Sequence, residues 1–180
     1  MNITVDGIRP PIWRRVVVAG DVTLAHLHDV LQVAMGWEGC HLHSSWIDGV
    51  RYGTADMDLD LDEVDESKLS VAEAFAATRR GVDEHDFGDS WEHQLLVEKT
   101  DVPLPHGVAA CIAGKRACPP EDCGGIWGYA DLLEALADPA HEEHEELLEW
   151  AGEDFDPEAF ELEAVNARLA RLPGRTGRAR

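Results

Sequence analysis

The sequence predicts an α+β fold: a mixed, mostly antiparallel β-sheet with a β-grasp-like helix on one face and a C-terminal helical cap. Three observations lead there. Two short segments rich in β-branched residues, Asn2–Ile8 and Ile12–Val18, come first. Leu24, Leu27, Val30, Leu31 and Ala34 then form one apolar stripe at helical spacing. Beyond residue 120 strand signals give way to three helical stretches, and such segregation of strands from helices marks the α+β class.

The elements follow in order. Arg9-Pro10-Pro11 separates the first two strands as a turn or edge feature, and Gly20-Asp21 closes the second. Thr23 caps a helix running to about Met35, which Gly36 and Gly39 end. His41–Ile47 reads as a strand, and Asp48-Gly49 as a hairpin turn into Val50–Tyr52. The acidic stretch Thr54–Glu66 reads as a solvated loop. Ser70 caps a short helix, Val71–Ala77. Strands follow at Asp83–Phe87 and Trp91–Lys99, joined by a turn at Gly88-Asp89. Asp101–Pro120 is punctuated by Pro and Gly and reads as loop. The helices are Tyr129–Ala137, His141–Trp150 and Pro157–Leu172, the last with Asp156 as cap and Pro157 at its first position. The expectation is one domain over residues 1–172, sheet-rich to residue 100 and helical from 126. A basic, flexible tail over 173–180 ends it.

Charge narrows the function classes. Lys and Arg number 15 against 36 Asp and Glu, giving a net charge of −21. Such a field repels a phosphate backbone, so direct nucleic-acid binding is not expected, whereas a basic protein partner is compatible with it. No apolar run approaches the ~20 residues of a membrane helix. The first residues lack the apolar core of a secretory signal, so a cytoplasmic protein is expected. Its four cysteines, Cys40, Cys111, Cys118 and Cys123, are then free thiols or metal ligands rather than disulfides.

Several constellations could carry chemistry. His41 and His43, two apart on one strand, would project from the same face and could share a divalent metal such as zinc. Asp86-Phe87-Gly88-Asp89-Ser90-Trp91-Glu92-His93 places two carboxylates and an imidazole around a glycine turn. Phe87 and Trp91 would anchor that turn in the core and hold Asp86, Asp89 and His93 at a rim. Carboxylate plus imidazole suits a metal or a general acid/base pair. A plain turn, with Asp89 capping backbone N–H groups and His93 bonded to Asp86, explains the same residues. Metal binding would require His41 or His43 to approach this turn.

Cys118, near Lys115 and Arg116, is either a thiol of lowered pKa or a small buried hydrophobe. Glu121 and Asp122 precede Gly124-Gly125 in what resembles a binding loop. Arg14, with Arg9, Arg15 and Trp13, could form an anion or partner site, or could pair with the protein's own acids. His141 and His144 fall one helical turn apart on a face read as solvated, with Leu147, Leu148 and Trp150 on the buried side. No phosphate-binding loop is present.

The ordered motifs GIRPPIWRRVVV, TLAHLHDVLQVAMGW, HLHSSWIDGVRYG, HDFGDSWEHQLLVEK and GKRACPPEDCGGIWGYADLLEALADPAHEEHEELLEWAGEDFDPEAFELEAVN are similar to those of the plasmid pRiA4b ORF-3-like family. The resemblance spans about Ile3 to Leu169. It implies an α+β fold with no established activity, and includes insertion-element passenger proteins labelled TnpR. No serine-recombinase nucleophile site and no basic DNA-binding domain is recognisable, so recombination is not carried over. Two functions follow as expectations. One is a mobile-element-associated accessory or interaction protein with an acidic surface. The other is a metal-dependent, hydrolase-like enzyme using the His/Asp cluster.

Overall fold

A computed structural model describes residues 1–54, 63–105 and 107–173. The chain forms β1 (Asn2–Val5), β2 (Trp13–Val18), α1 (Leu24–Met35), β3 (His43–Ile47), β4 (Val50–Gly53) and β5 (Val64–Asp65). A 3-10 turn (Glu66–Lys68) and α2 (Val71–Ala74) lead to β6 (Arg80–His85), β7 (Trp91–Leu96) and β8 (Ala109–Lys115). Helices α3 (Gly125–Ala137), α4 (His144–Ala151) and α5 (Leu162–Leu169) follow. The strands make one eight-stranded sheet in the order β5-β4-β3-β6-β7-β1-β2-β8. Every neighbouring pair is antiparallel except β4–β5. The α+β class and mostly antiparallel sheet are therefore as the sequence indicates.

Helix α1 forms where its caps and stripe require. Thr23 Oγ1 accepts the His26 N–H, and Gly36 takes the left-handed conformation (φ 109°) while its N–H bonds Gln32 O. Leu24, Leu27, Val30, Leu31 and Ala34 are buried in one core with Ile3, Val5 and Val16 of the sheet. His28 and Gln32, also buried, interrupt this apolar surface with polar groups. Ser70 and Glu73 form a reciprocal capping box on α2.

Several boundaries differ from the sequence reading. β8 lies within the segment read as loop. Its Ala-rich sequence is a weak strand signal, but β2 would otherwise present an open edge, and the two strands pair from Trp13↔Lys115 to Val18↔Ala109 with one register shift. β6 begins at Arg80 and ends before Asp86, whose φ of 56° leaves strand geometry. α5 begins at Leu162 rather than Pro157; Asp156 instead accepts the Glu158 N–H in a local turn. His141 precedes α4, and Trp150 is 49% exposed rather than buried. Phe87 is only half-buried. The expected solvated loop Thr54–Glu66 lies partly outside the described residues (55–62), as does most of the 173–180 tail (174–180). Within the described part of that loop, β5 joins the sheet and Glu66 is buried.

Candidate metal centre

Adjacent rungs of the sheet place polar side chains where a core would ordinarily be apolar. Ser45 pairs with Asp83 and Asp83 with His93, making one rung. His43 pairs with His85 and His85 with Trp91, making the next. Residues two apart on a strand share a face, so Asp83 and His85 project together, as do Trp91 and His93. Helix α1 brings His28 onto this face, with its ring stacked on His43 at a centroid separation of 3.3 Å. Trp37 closes one side, 4.9 Å from the His85 ring and 5.1 Å from that of His93. Its indole N–H donates to Pro119 O.

The resulting chamber is buried but short of hydrogen bonds. Asp83, His85 and His93 are at most 1% exposed. Ser45 donates to Asp83 Oδ2 at 2.7 Å, and Glu66 holds His43 Nε2 at 3.0 Å. His93 Nδ1 lies 3.2 Å from Asp83 O. Yet His28 Nδ1, Asp83 Oδ1, both His85 nitrogens and His93 Nε2 have no hydrogen-bond partner. Buried polar atoms are ordinarily satisfied; His28 Nδ1 and Asp83 Oδ1 face each other as an ion pair at 3.5 Å and His85 Nε2 faces Glu121 Oε2 at 3.8 Å, which leaves His85 Nδ1 and His93 Nε2 as the atoms of this cluster without such a partner among the described residues.

Electrostatics divides the imidazoles. Burial, reinforced by neighbouring His28 and His93, pushes His85 down to about 3. Burial likewise lowers His93, against the pull of Asp83. Both rings are thus neutral near neutral pH, with lone pairs available. Burial also opposes charge on His43, but Glu66 outweighs it and raises that pKa. For Asp83, burial opposes ionisation, and His28, His93 and His43 overcome it, bringing the carboxyl to about 2.

An acidic rim opens beside the chamber. His41 lies outside β3, correcting its expected place on the strand face shared with His43. Its Nδ1 is 3.6 Å from Asp86 Oδ2, and its Nε2 is 3.5 Å from both Glu121 Oε2 and Asp122 Oδ1. Glu121 Oε2 is also 3.8 Å from His85 Nε2. One donor atom each from Cys40, His41 and Glu121, and likewise from His41, Asp86 and Asp122, fall within 4.8 Å of one another. Zinc bonds of about 2.0–2.1 Å give a tetrahedral ligand–ligand edge of about 3.4 Å. The His41 contacts match that spacing.

The loop carrying Glu121 and Asp122 is docked by backbone. Gly124 N–H donates to Asp89 Oδ2 at 3.0 Å. Gly125, at φ 67°, comes so close that an added Cβ would lie 2.5 Å from Asp89 O. Glycine is required here by conformation and by space.

The sequence-derived residues thus take distinct places. His41, Asp86, Glu121 and Asp122 meet at the rim. His93 is fully buried rather than at a rim, against Asp83 rather than Asp86. His43 is engaged by Glu66, and Asp89 anchors the loop. Trp91, 2% exposed, is core. Arg14 is a brace: its Nε donates to Ala34 O and its Nη1 to Trp13 O and Lys115 O. Cys118 packs 3.3 Å from Met35 Sδ, and burial pushes its thiol up to about 12, opposed only in part by Arg14. Of the two readings of Cys118, the structure matches the small buried hydrophobe; the lowering by Lys115 and Arg116 does not occur, and Arg116 is engaged by Glu158 and Pro10 O. His28, Glu66, Asp83 and His85 escaped the sequence reading. Their signal was polar residues at core-facing positions: His28 in the α1 stripe and Asp83 with His85 at strand spacing.

Comparison with known proteins agrees with this architecture. Uncharacterized protein y4hQ of Sinorhizobium fredii (strain NBRC 101917 / NGR234) is 37% identical over 181 residues, covering 99% of this chain and 93% of that protein. The crystal structure of the protein of unknown function MM3350 from Methanosarcina mazei Go1 superposes with a TM-score of 0.78 at 36% identity. That match covers 90% of this chain and 93% of the other. The family model for plasmid pRiA4b ORF-3-like proteins matches residues 1–164, and the chain belongs to that family.

Proposed function

We propose that the rim binds a divalent transition metal through His41 with Cys40 and Glu121, Asp122 also lying near the His41 Nε2, and that the protein is a metal-dependent, hydrolase-like enzyme. The observation carrying this reading is the two-sided environment of His41. Its Nε2 faces two carboxylates at ligand spacing while Nδ1 faces a third, Asp86. A carboxylate behind a ligating imidazole fixes the ring and raises its basicity. The three carboxylates repel one another, and a dication relieves that repulsion. A bound ion of this kind supplies an activated water near neutral pH. The test is zinc or manganese added to chelator-stripped protein. Binding should raise the melting temperature, and His41→Ala should abolish the rise. Turnover of chromogenic esters or phosphoesters by the loaded protein would support the hydrolase class. Unchanged melting with either metal would remove the whole reading.

The net charge of −21 favours a second reading: an accessory protein of mobile elements that docks a basic protein partner. Charge of this magnitude steers encounter with an oppositely charged surface and is screened by salt. Pull-downs at low and moderate salt test it. Recovery of no basic partner at either would reject it.

A further inference from the structure

We propose that Asn166 and the segment leading to it form a strap that closes the outer edge of β8 against strand addition, and that loosening the strap lets a second copy of this chain pair there. The strap shares no residue with the metal rim. Three observations carry the proposal.

The first is the pairing of Asn166 with Cys111. Val16 stands opposite Cys111 in the β2–β8 ladder, and both its N–H and its C=O are engaged by Met1. In an antiparallel ladder such a pair turns its backbone groups away from each other, so those of Cys111 face outward. Asn166 meets both: its Oδ1 accepts the Cys111 N–H and its Nδ2 donates to the Cys111 carbonyl, each at 2.9 Å. A carboxamide offers the donor and acceptor of a peptide group, so it stands where one residue of a further strand would stand. Nδ2 also donates to Leu162 O at 3.1 Å, which fixes the side chain on its own helix.

The second is that the contact continues along the strand. Pro157 O accepts the Ala117 N–H at 3.1 Å, and Glu158 pairs with Arg116 at 2.7 Å. The Phe160 ring lies so close to Gly114 that an added Cβ would be 2.5 Å from it. Partners thus fall in order, Pro157 on Ala117, Phe160 on Gly114 and Asn166 on Cys111, and the segment runs antiparallel along the edge. Within α5 the buried residues are Val165 and Leu169, so the strap is lightly anchored.

The third is the edge that the strap covers. Residues 108–114 carry no charge and no proline. Edge strands left open to solvent ordinarily carry one or the other, or are very short, as β5 is with two residues at the opposite edge. Ile112, 49% exposed, adds an apolar side chain beside this edge. Two identical antiparallel strands pair about a twofold axis, so β8 of a second copy is complementary to β8 itself. Asn166 also breaks a local rule, since asparagine is a poor helix former at an interior position. Such departures mark residues kept for another purpose.

The experiment is gel filtration with light scattering on wild type, Asn166→Ala and Asn166→Asp. Salt of about 0.3 M screens the repulsion between two chains of charge −21. Both variants should dimerise at concentrations about tenfold or more below any association of the wild type. Alanine improves helix propensity, and aspartate keeps the acceptor while losing the donor for the Cys111 carbonyl. Adding Ile112→Lys to Asn166→Ala should restore the monomer, because a charge at the edge opposes pairing. Folded variants that stay monomeric, a wild type that dimerises equally, or dimers that Ile112→Lys leaves intact would overturn the proposal. Native-state hydrogen exchange of the wild type needs no variant. The Cys111 amide should open together with the amides of α5, and exchange about tenfold or more slowly than solvent-open amides. Exchange at the open rate would show that Asn166 closes nothing.

Discussion

His43 lies flat on His28, with planes 5° from parallel, while Glu66 grips its far edge at 3.0 Å. The acidic segment before α2 is thereby tied to the polar chamber beneath α1. Glu66→Gln should cost about 1–3 kcal/mol, the range for disturbing a buried hydrogen-bonded group. The cost should depend on pH with a definite sign. His43 has a raised folded pKa, so its charged contribution is complete below the unfolded value of 6.5 and is lost as pH rises through the folded value. Urea unfolding at about pH 6 and about pH 9 should show the larger penalty at the lower pH.

His85 acts in the opposite sense. Its folded pKa is about 3 against 6.5, so the unfolded chain takes up a proton that the folded chain refuses between those values. Stability of metal-stripped protein should be full above pH 6.5 and fall as pH drops toward 3. His93, lowered in the same direction, adds to the slope. Asp83, at about 2 against 3.8, adds a further loss only below 3.8. His85→Gln should flatten the melting temperature between pH 6.5 and 4, which a thermal scan across pH measures directly.

Legibility in the sequence followed the strength of local signals. Thr23, Gly36 and the leucine stripe announced α1 because cap chemistry and period agree. Asp48-Gly49 announced its turn, since both residues adopt positive φ (51° and 77°). Strand β8 was hidden because Ala109, Ala110 and Ala113 have little strand preference, and only the open edge of β2 makes the pairing favourable. The rim was half legible. His41, Asp86, Glu121 and Asp122 each stood out, but their meeting depends on the Asp89–Gly124 contact, 35 residues apart in sequence. The chamber was least legible, because it requires three strands and a helix to bring together residues that look ordinary separately.

The cysteines should differ sharply in reactivity. Cys40 is exposed, Cys111 is buried, and Cys118 and Cys123 are both pushed up to about 12 chiefly by burial. A thiol-disulfide reagent at about pH 8 should label Cys40 first, and Cys40→Ser should remove that phase. The remaining thiols should react only on unfolding in urea.

Gly125→Ala should both destabilise the fold and loosen the rim. The new Cβ meets the Asp89 carbonyl at 2.5 Å in a left-handed backbone. A cost of about 1–3 kcal/mol is expected, with metal affinity weakened roughly tenfold or more through misplaced Glu121 and Asp122. Gly49→Ala is the control. It shares positive φ but has nothing within 4 Å, so it should cost only about 1–2 kcal/mol and leave metal binding unchanged.

The most direct measurement is anomalous diffraction at the zinc edge from crystals of zinc-loaded protein. A peak is expected within about 2.0–2.2 Å of His41 Nε2 and of a carboxylate oxygen of Glu121 or Asp122. Zinc found only on scattered surface carboxylates, with the His41 rim empty, would contradict it.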